Sequence, residues 1–175
     1  MHSPNMSRDI TQNGLASAEE KINLYADHNI TMQDTVLHAK NQDVLHTTAG
    51  IAVKGKDGVL LMEAENNIHL DTDTLEAKND MTENSDNYIR TYRKTETTNT
   101  LAAGKTITLA AGENLSARNT TVLSENGQIT VAAKGDVNLE NGYNEFRDDY
   151  GLKYKERSLL SSKTTTIIQT NEYET

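Results

Sequence analysis

Cysteine and tryptophan are both missing from this chain, Pro4 is its one proline, and aromatic residues make up only 5% of it. Without cysteine there is no disulfide framework and no thiolate metal site, although this alone does not fix a compartment. No apolar run approaches the roughly 20 residues that a membrane-spanning helix needs. The opening residues MHSPNMSRD have no apolar core and do not form a secretion leader. Basic residues are also scarce: 17 Lys and Arg stand against 26 Asp and Glu, for a net charge of -9. An acidic surface argues against nucleic acid as the main partner. Also lacking are a phosphate-cradling glycine loop, a nucleophile motif and zinc-ligand spacing. His28, His38, His46 and His69 are too scattered for a close ligand pattern and read as solvent-facing strand positions. No cofactor is expected.

Apolar residues are thin too, at 35% of the 175 residues with a mean hydropathy of -0.69. Taken alone this leans towards disorder. What is present reverses that reading. Ile107–Ala117 (ITLAAGENLSA) is followed by Ile129–Leu139 (ITVAAKGDVNL), a match position for position at a period of about 22 residues, the mark of a stacked repeat. The same phrase occurs earlier as Ile22–Met32 (INLYADHNITM) and Leu60–Leu70 (LLMEAENNIHL). Its first, third, ninth and eleventh columns are apolar with polar residues between, the alternation of a half-buried strand. Each copy is therefore strand, corner, strand.

The corner repeats as well. Its fifth column is Ala26, Ala64, Ala111 and Ala133; its eighth is Asn29, Asn67, Asn114 and Asp136. A small residue suits a tight bend, and Asn or Asp tolerates left-handed backbone and bonds its own turn. The Asn/Asp column reads as a structural ladder of stacked turns in preference to a row of ligands for a metal or glycan. A third strand is expected a few residues past the phrase, at Thr35-Val36-Leu37, Thr74-Leu75 and Thr121-Val122-Leu123. Three short strands per turn, all turns alike, predict an all-β fold, a right-handed parallel β-helix. One such coil buries too few apolar residues, at about 1.5–3 kcal/mol each, to offset about 1–2 kcal/mol of ordering per residue without neighbours above and below. Its end coils need caps, and no cap is evident at either end.

In chain order, residues 1–9 read as a frayed start or an expression remnant. Residues 10–175 read as one β-helical repeat domain, a fragment, with non-repeat hairpin segments near 79–100 and 143–175. Ile10 to Leu15 is a weak strand turning at Asn13-Gly14, and Val44–Val53 an imperfect coil. Asp71 and Asp73 flank Thr72; on a strand both carboxylates share a face, which makes them a weak candidate pair for calcium, though calcium wants six to eight oxygens. The non-repeat segments share a pattern. A Tyr-x-x-x-Tyr stretch with basic residues (Tyr88, Arg90, Tyr92, Arg93, Lys94; then Tyr150, Lys153, Tyr154, Lys155, Arg157) leads into a Thr-rich stretch. Each reads as an outgoing strand and a returning one. Their cations form either a docking surface for an acidic partner or a membrane, or a charged edge that resists strand-to-strand aggregation, the second being preferred.

Gly104–Phe146 (GKTITLAAGENLSARNTTVLSENGQITVAAKGDVNLENGYNEF), together with the Tyr/basic-then-Thr segments, resembles the haemagglutinin-repeat regions of filamentous-haemagglutinin-like exoproteins, the large partners of two-partner secretion systems. The likeness runs from about Ile22 to the C-terminus. It implies a β-helical stalk exported through an outer-membrane transporter and displayed at the bacterial surface or released, as part of a longer exoprotein that serves adhesion or contact-dependent growth inhibition. The family's N-terminal secretion domain and any toxin motif are not seen, so a fragment or truncated reading frame is expected. Three functions follow in order: a structural spacer; an adhesin module that binds a cell-surface receptor or glycan through its basic hairpins; and, remotely, a polysaccharide-degrading β-helix enzyme. The expectation is no enzyme.

Overall fold

The computed structural model describes residues 7–37, 40, 42–47 and 49–174. Met1–Met6 of the expected frayed start and His38 lie outside them. Every described element is a strand. β1 (Ser7–Gln12) leads into β2 (Leu15–Ala18) and the long β3 (Lys21–Met32). β4 (Thr35–Leu37) and β5 (Val44–Thr47) precede a second coil of β6 (Gly50–Val53), β7 (Val59–Ala64) and β8 (Ile68–Leu70). β9 (Thr74–Asn84) and β10 (Asn87–Glu96) interrupt the series. A third coil follows as β11 (Asn99–Ala103), β12 (Thr106–Ala111) and β13 (Leu115–Arg118), and a fourth as β14 (Thr120–Ser124), β15 (Gln128–Ala133) and β16 (Val137–Glu140). β17 (Glu145–Arg157) and β18 (Ser162–Glu174) close the chain. By contact the chain falls into two compact units. One draws on Met1–Val36, Leu45–Asp73 and Glu96–Gly142, the other on Leu37–Val44, Thr74–Thr95 and Tyr143–Thr175.

The first unit is a parallel β-helix. On one wall β3, β7, β12 and β15 pair in parallel, so that Ile22, Leu60, Ile107 and Ile129 align, as do Leu24, Met62, Leu109 and Val131. On the next, β1, the second half of β3, β8, β13 and β16 align Ile10, Ile30, Ile68, Leu115 and Val137. The third wall is β2, β6, β11 and β14, with Ala16, Ile51, Leu101 and Val122 in line. All columns of the four matching phrases are thus in register, and like stacks on like.

Burial follows position in the stack. Leu60, Met62, Ile68, Leu70, Ile107, Leu109 and Leu115 are buried, with coils on both sides. Ile22 and Leu24 are partly buried against this core. In the fourth coil Ile129 is 42% exposed and Leu139 67%, because burial there comes from one side only. The corners leave no spare room. A Cβ added at Gly112 would lie 1.7 Å from the backbone oxygen of Glu65 in the coil beneath, so only glycine fits that close approach.

Several expectations need correction. The structure begins its first strand at Ser7, inside the segment read as frayed, because β1 pairs with β3 and Asp9 joins a corner ladder. The third wall takes Thr121-Val122-Leu123, within β14, but neither Thr35-Val36-Leu37 nor Thr74-Leu75. After each of its first two coils the chain leaves the helix, and it re-enters at Gly50–Val53 and Asn99–Ala103, strands of four and five residues that lie outside the repeated phrase. Val44–Val53 is accordingly no coil: only Gly50–Val53 joins the third wall. Asp71–Asp73 is not strand but the link between β8 and β9, so the shared-face argument fails there.

The second unit is a four-stranded antiparallel sheet in the order β18-β17-β10-β9. β9 and β10 form a hairpin through Ser85-Asp86, β17 and β18 a longer one through Ser158–Ser161, and the hairpins join where Tyr88 faces Gly151 and Lys94 faces Glu145. In the second hairpin Tyr150 and Tyr154 lie on the outgoing strand and Thr164–Thr166 on the returning one. In the first, Tyr88 and Tyr92 sit on the returning strand instead, and the outgoing strand is Thr74–Asn84.

Candidate functional site

The most ordered side-chain array runs up one corner of the β-helix. Asp9 Oδ1 accepts from the backbone N–H of Asn29 at 3.2 Å and from its Nδ2 at 3.0 Å. Asn29 Oδ1 accepts the same pair from Asn67, both at 3.2 Å. Asn67 Oδ1 accepts from Asn114 at 3.1 and 3.2 Å, and Asn114 Oδ1 from the Asp136 N–H at 2.9 Å. Each interior position must donate downward and accept upward, which an amide can do and a carboxylate cannot. Asp9 only accepts within this series, so an acid suffices. At Asn29 and Asn67 the side-chain oxygen takes two donors from the next coil while the amide nitrogen donates to the coil before, so these interior groups are spent on one another. Asp9 carries no signal in the sequence because β1 belongs to no recognisable phrase.

A second corner is tied by less regular contacts. Arg118 clamps Glu96 through Nη2 at 2.6 Å and Nε at 3.1 Å, and reaches Glu140 with Nη1 at 2.7 Å. The Glu96 side chain is only 8% exposed. Hydrogen bonds from Asn138 and Arg118 hold the Glu140 carboxyl below its ordinary 4.5. Asn119, between β13 and β14, adopts φ 42, left-handed backbone that asparagine tolerates. Its Nδ2 donates to Thr97 O at 2.8 Å and Thr98 Oγ1 at 3.1 Å. Asn99, fully buried, donates to Asp71 O at 2.6 Å. Glu96, Asn99, Arg118, Asn119 and Glu140 carry no signal in the sequence, since they lie outside the repeated phrase.

Asp71 and Asp73, the candidate cation ligands, are engaged through their backbones. The Asp71 N–H donates to Met32 O, and the Asp73 N–H to Thr97 Oγ1 at 2.8 Å. Among the described residues no group of three or more His, Asp or Glu is placed to hold a metal ion. His69 Nδ1 lies 2.9 Å from Ser116 Oγ on the neighbouring coil.

In the hairpin sheet, alternation divides the candidate contact residues by face. Tyr88, Arg90, Tyr92, Lys94, Lys153, Lys155 and Arg157 share one face, while Arg93 and Tyr154 lie on the other. On the first face the Tyr88 ring covers Gly151, where a Cβ would lie 2.6 Å from the ring, and the Arg90 guanidinium stacks 4.6 Å over Tyr88. Several cations are already matched: Arg90 with Asp80 at 3.3 Å, Lys153 with Asp86 at 2.9 Å, and Lys78 with Glu76 at 2.8 Å. The Lys78 ammonium lowers the pKa of Glu76, and the Thr82 hydroxyl and Arg90 lower that of Asp80. A hydrogen bond to Glu174, with burial, pushes the Tyr143 phenol up to about 12.

Fold and register define a parallel β-helical solenoid interrupted by hairpins. Residues 80–151, which span the third and fourth coils and parts of both hairpins, match the Hemagglutinin repeat family, and this part of the chain is a filamentous-haemagglutinin-like repeat region. Repeats of this kind belong typically to secreted or cell-surface proteins. No curated protein and no solved structure matches the chain. No helix among the described residues is long and apolar enough to cross a membrane.

Proposed function

We propose that the chain is a stiff spacer within a longer, secreted bacterial surface exoprotein, exported by an outer-membrane two-partner transporter and serving adhesion or contact-dependent toxin delivery. The observation that carries this reading is the in-register stacking of the four phrases, with the Asp9–Asn29–Asn67–Asn114–Asp136 ladder fixing one corner. Ladder bonds between coils and a continuous apolar column resist bending, so the mechanism is mechanical: it sets the reach of whatever the exoprotein carries. The chain takes no catalytic part in this reading. The repeat family is structural or adhesive in kind, and a regular repeat leaves little room for a convergent set of acids and bases.

The test replaces this segment, in an exoprotein that carries it, with an unrelated β-helix of the same coil number. Cell contact and delivery persist if reach is what matters; their loss refutes the spacer. The triple variant Arg90→Ser, Arg93→Ser, Lys94→Ser separates the runner-up. Unchanged cell binding is expected, whereas abolished binding would make the hairpin sheet a direct adhesin that grips a receptor or glycan.

A further inference from the structure

β17 and β18 run together from Glu145 paired with Glu174 to Arg157 paired with Ser162, and turn through Ser158-Leu159-Leu160-Ser161. The Ser158 N–H donates to Ser161 O at 2.8 Å, and the two serine hydroxyls meet at 2.8 Å, which pins the ends of the turn together. Leu159 and Leu160 are left at its apex with exposures of 101% and 95%, the most exposed large apolar side chains of the described residues. Turns of this length normally carry Gly, Asn, Asp or Pro. Two adjacent leucines in open water satisfy no need of the hairpin itself.

Directly behind the apex the charge changes sign relative to the acidic chain. Lys153, Lys155 and Arg157 alternate along one face of β17, opposite Thr166, Thr164 and Ser162. Lys163 stands on the other face, opposite Glu156, the one acid in this stretch. Lys153 is held by Asp86, but Lys155, Arg157 and Lys163 make no ion pair among the described residues, and all three are exposed.

We propose that this tip docks into the surface of an anionic lipid bilayer, with Leu159 and Leu160 entering the acyl boundary and Lys155, Arg157 and Lys163 meeting the headgroup phosphates. A bilayer meets a hairpin end-on and brings cations on both of its faces to headgroup depth at once. A polyanionic glycan would use the cations and hydroxyls but leave the leucines in water. A protein groove would use the leucines but has no call for cations on both faces. An apolar tip with a cationic collar has the amphipathic layout of an interfacial anchor. The inference does not depend on the spacer reading, which requires no contact with lipid.

The full chain is mixed with vesicles of phosphatidylcholine alone, or with roughly a third phosphatidylglycerol, and floated. It is expected to rise with the anionic vesicles only. The double variant Leu159→Ser, Leu160→Ser should stay behind. Lys155→Gln, Arg157→Gln, Lys163→Gln together should weaken binding on the order of a hundredfold, about fivefold per cation. Because the chain has no tryptophan, Leu159→Trp gives a single indole at the apex, which can be excited apart from the tyrosines and whose emission should shift to the blue with anionic vesicles. Failure of the unaltered chain to float, or emission that stays at its value in water, overturns the proposal. So does binding to heparin that survives the double leucine variant while vesicles are ignored, which would make the tip a glycan contact.

Discussion

Asn67 is asked to do two opposite things. Its N–H and Nδ2 donate to Asn29 while its Oδ1 receives two donors from Asn114. Asn67→Asp keeps the acceptor but sets a carboxylate oxygen against Asn29 Oδ1, and should cost about 1 kcal/mol in urea unfolding, with a half-buried corner losing a donor. Asp136→Asn should lie within about 0.5 kcal/mol, since Asp136 contributes only its backbone N–H to the series. The asparagine column could be read from sequence because one residue type recurs at one place in a repeating phrase. Asp9, Asn99 and Asn119 could not, because their partners are set by where the chain enters and leaves a coil, and nothing periodic marks those points.

The coils differ by place more than by composition. Leu60 and Ile129 occupy the same column, yet Leu60 is fully buried and Ile129 is 42% exposed. Leu60→Ala should therefore cost about 2–5 kcal/mol and Ile129→Ala under about 1 kcal/mol, measured by denaturant midpoint at unchanged slope. Alternation within the repeated phrase marks two of the three walls and their register, since a one-residue slip would turn every apolar side chain outward. It failed at the excursions. The first hairpin is hard to place from sequence because β9 (Thr74–Asn84) is largely polar and hides its strand character, and the turn at Ser85-Asp86 lies within the same polar run. The Leu-Leu tip carries a local signal, two apolar residues bracketed by serines, but its exposure follows only from its place at the end of a paired hairpin.

For the molecule as a whole, acid should be the weak side. Glu140 in one unit, and Glu76 and Asp80 in the other, ionise more readily folded than free, their values lying below 4.5, 4.5 and 3.8. A carboxyl depressed in this way supports the fold above its ordinary value and ceases to as pH falls through the lowered one. The thermal midpoint should hold from neutrality to about pH 5 and drop below about pH 4.5. Glu140→Gln should flatten part of that fall; a midpoint indifferent to acid, or one that drops as steeply in the variant, would contradict the account.

The asparagine series also has an arrow. In each pair the residue nearer the N-terminus offers the oxygen and the later one supplies the protons, from Asp9 through to Asp136. A completed turn thus presents an empty acceptor, already aimed, before its successor exists, along with a bare apolar shelf like the one at Ile129 and Leu139. A polypeptide threaded out N-terminus first would find each new segment's landing place prepared by the one before, so assembly can proceed as sequential docking without waiting for the whole length to arrive.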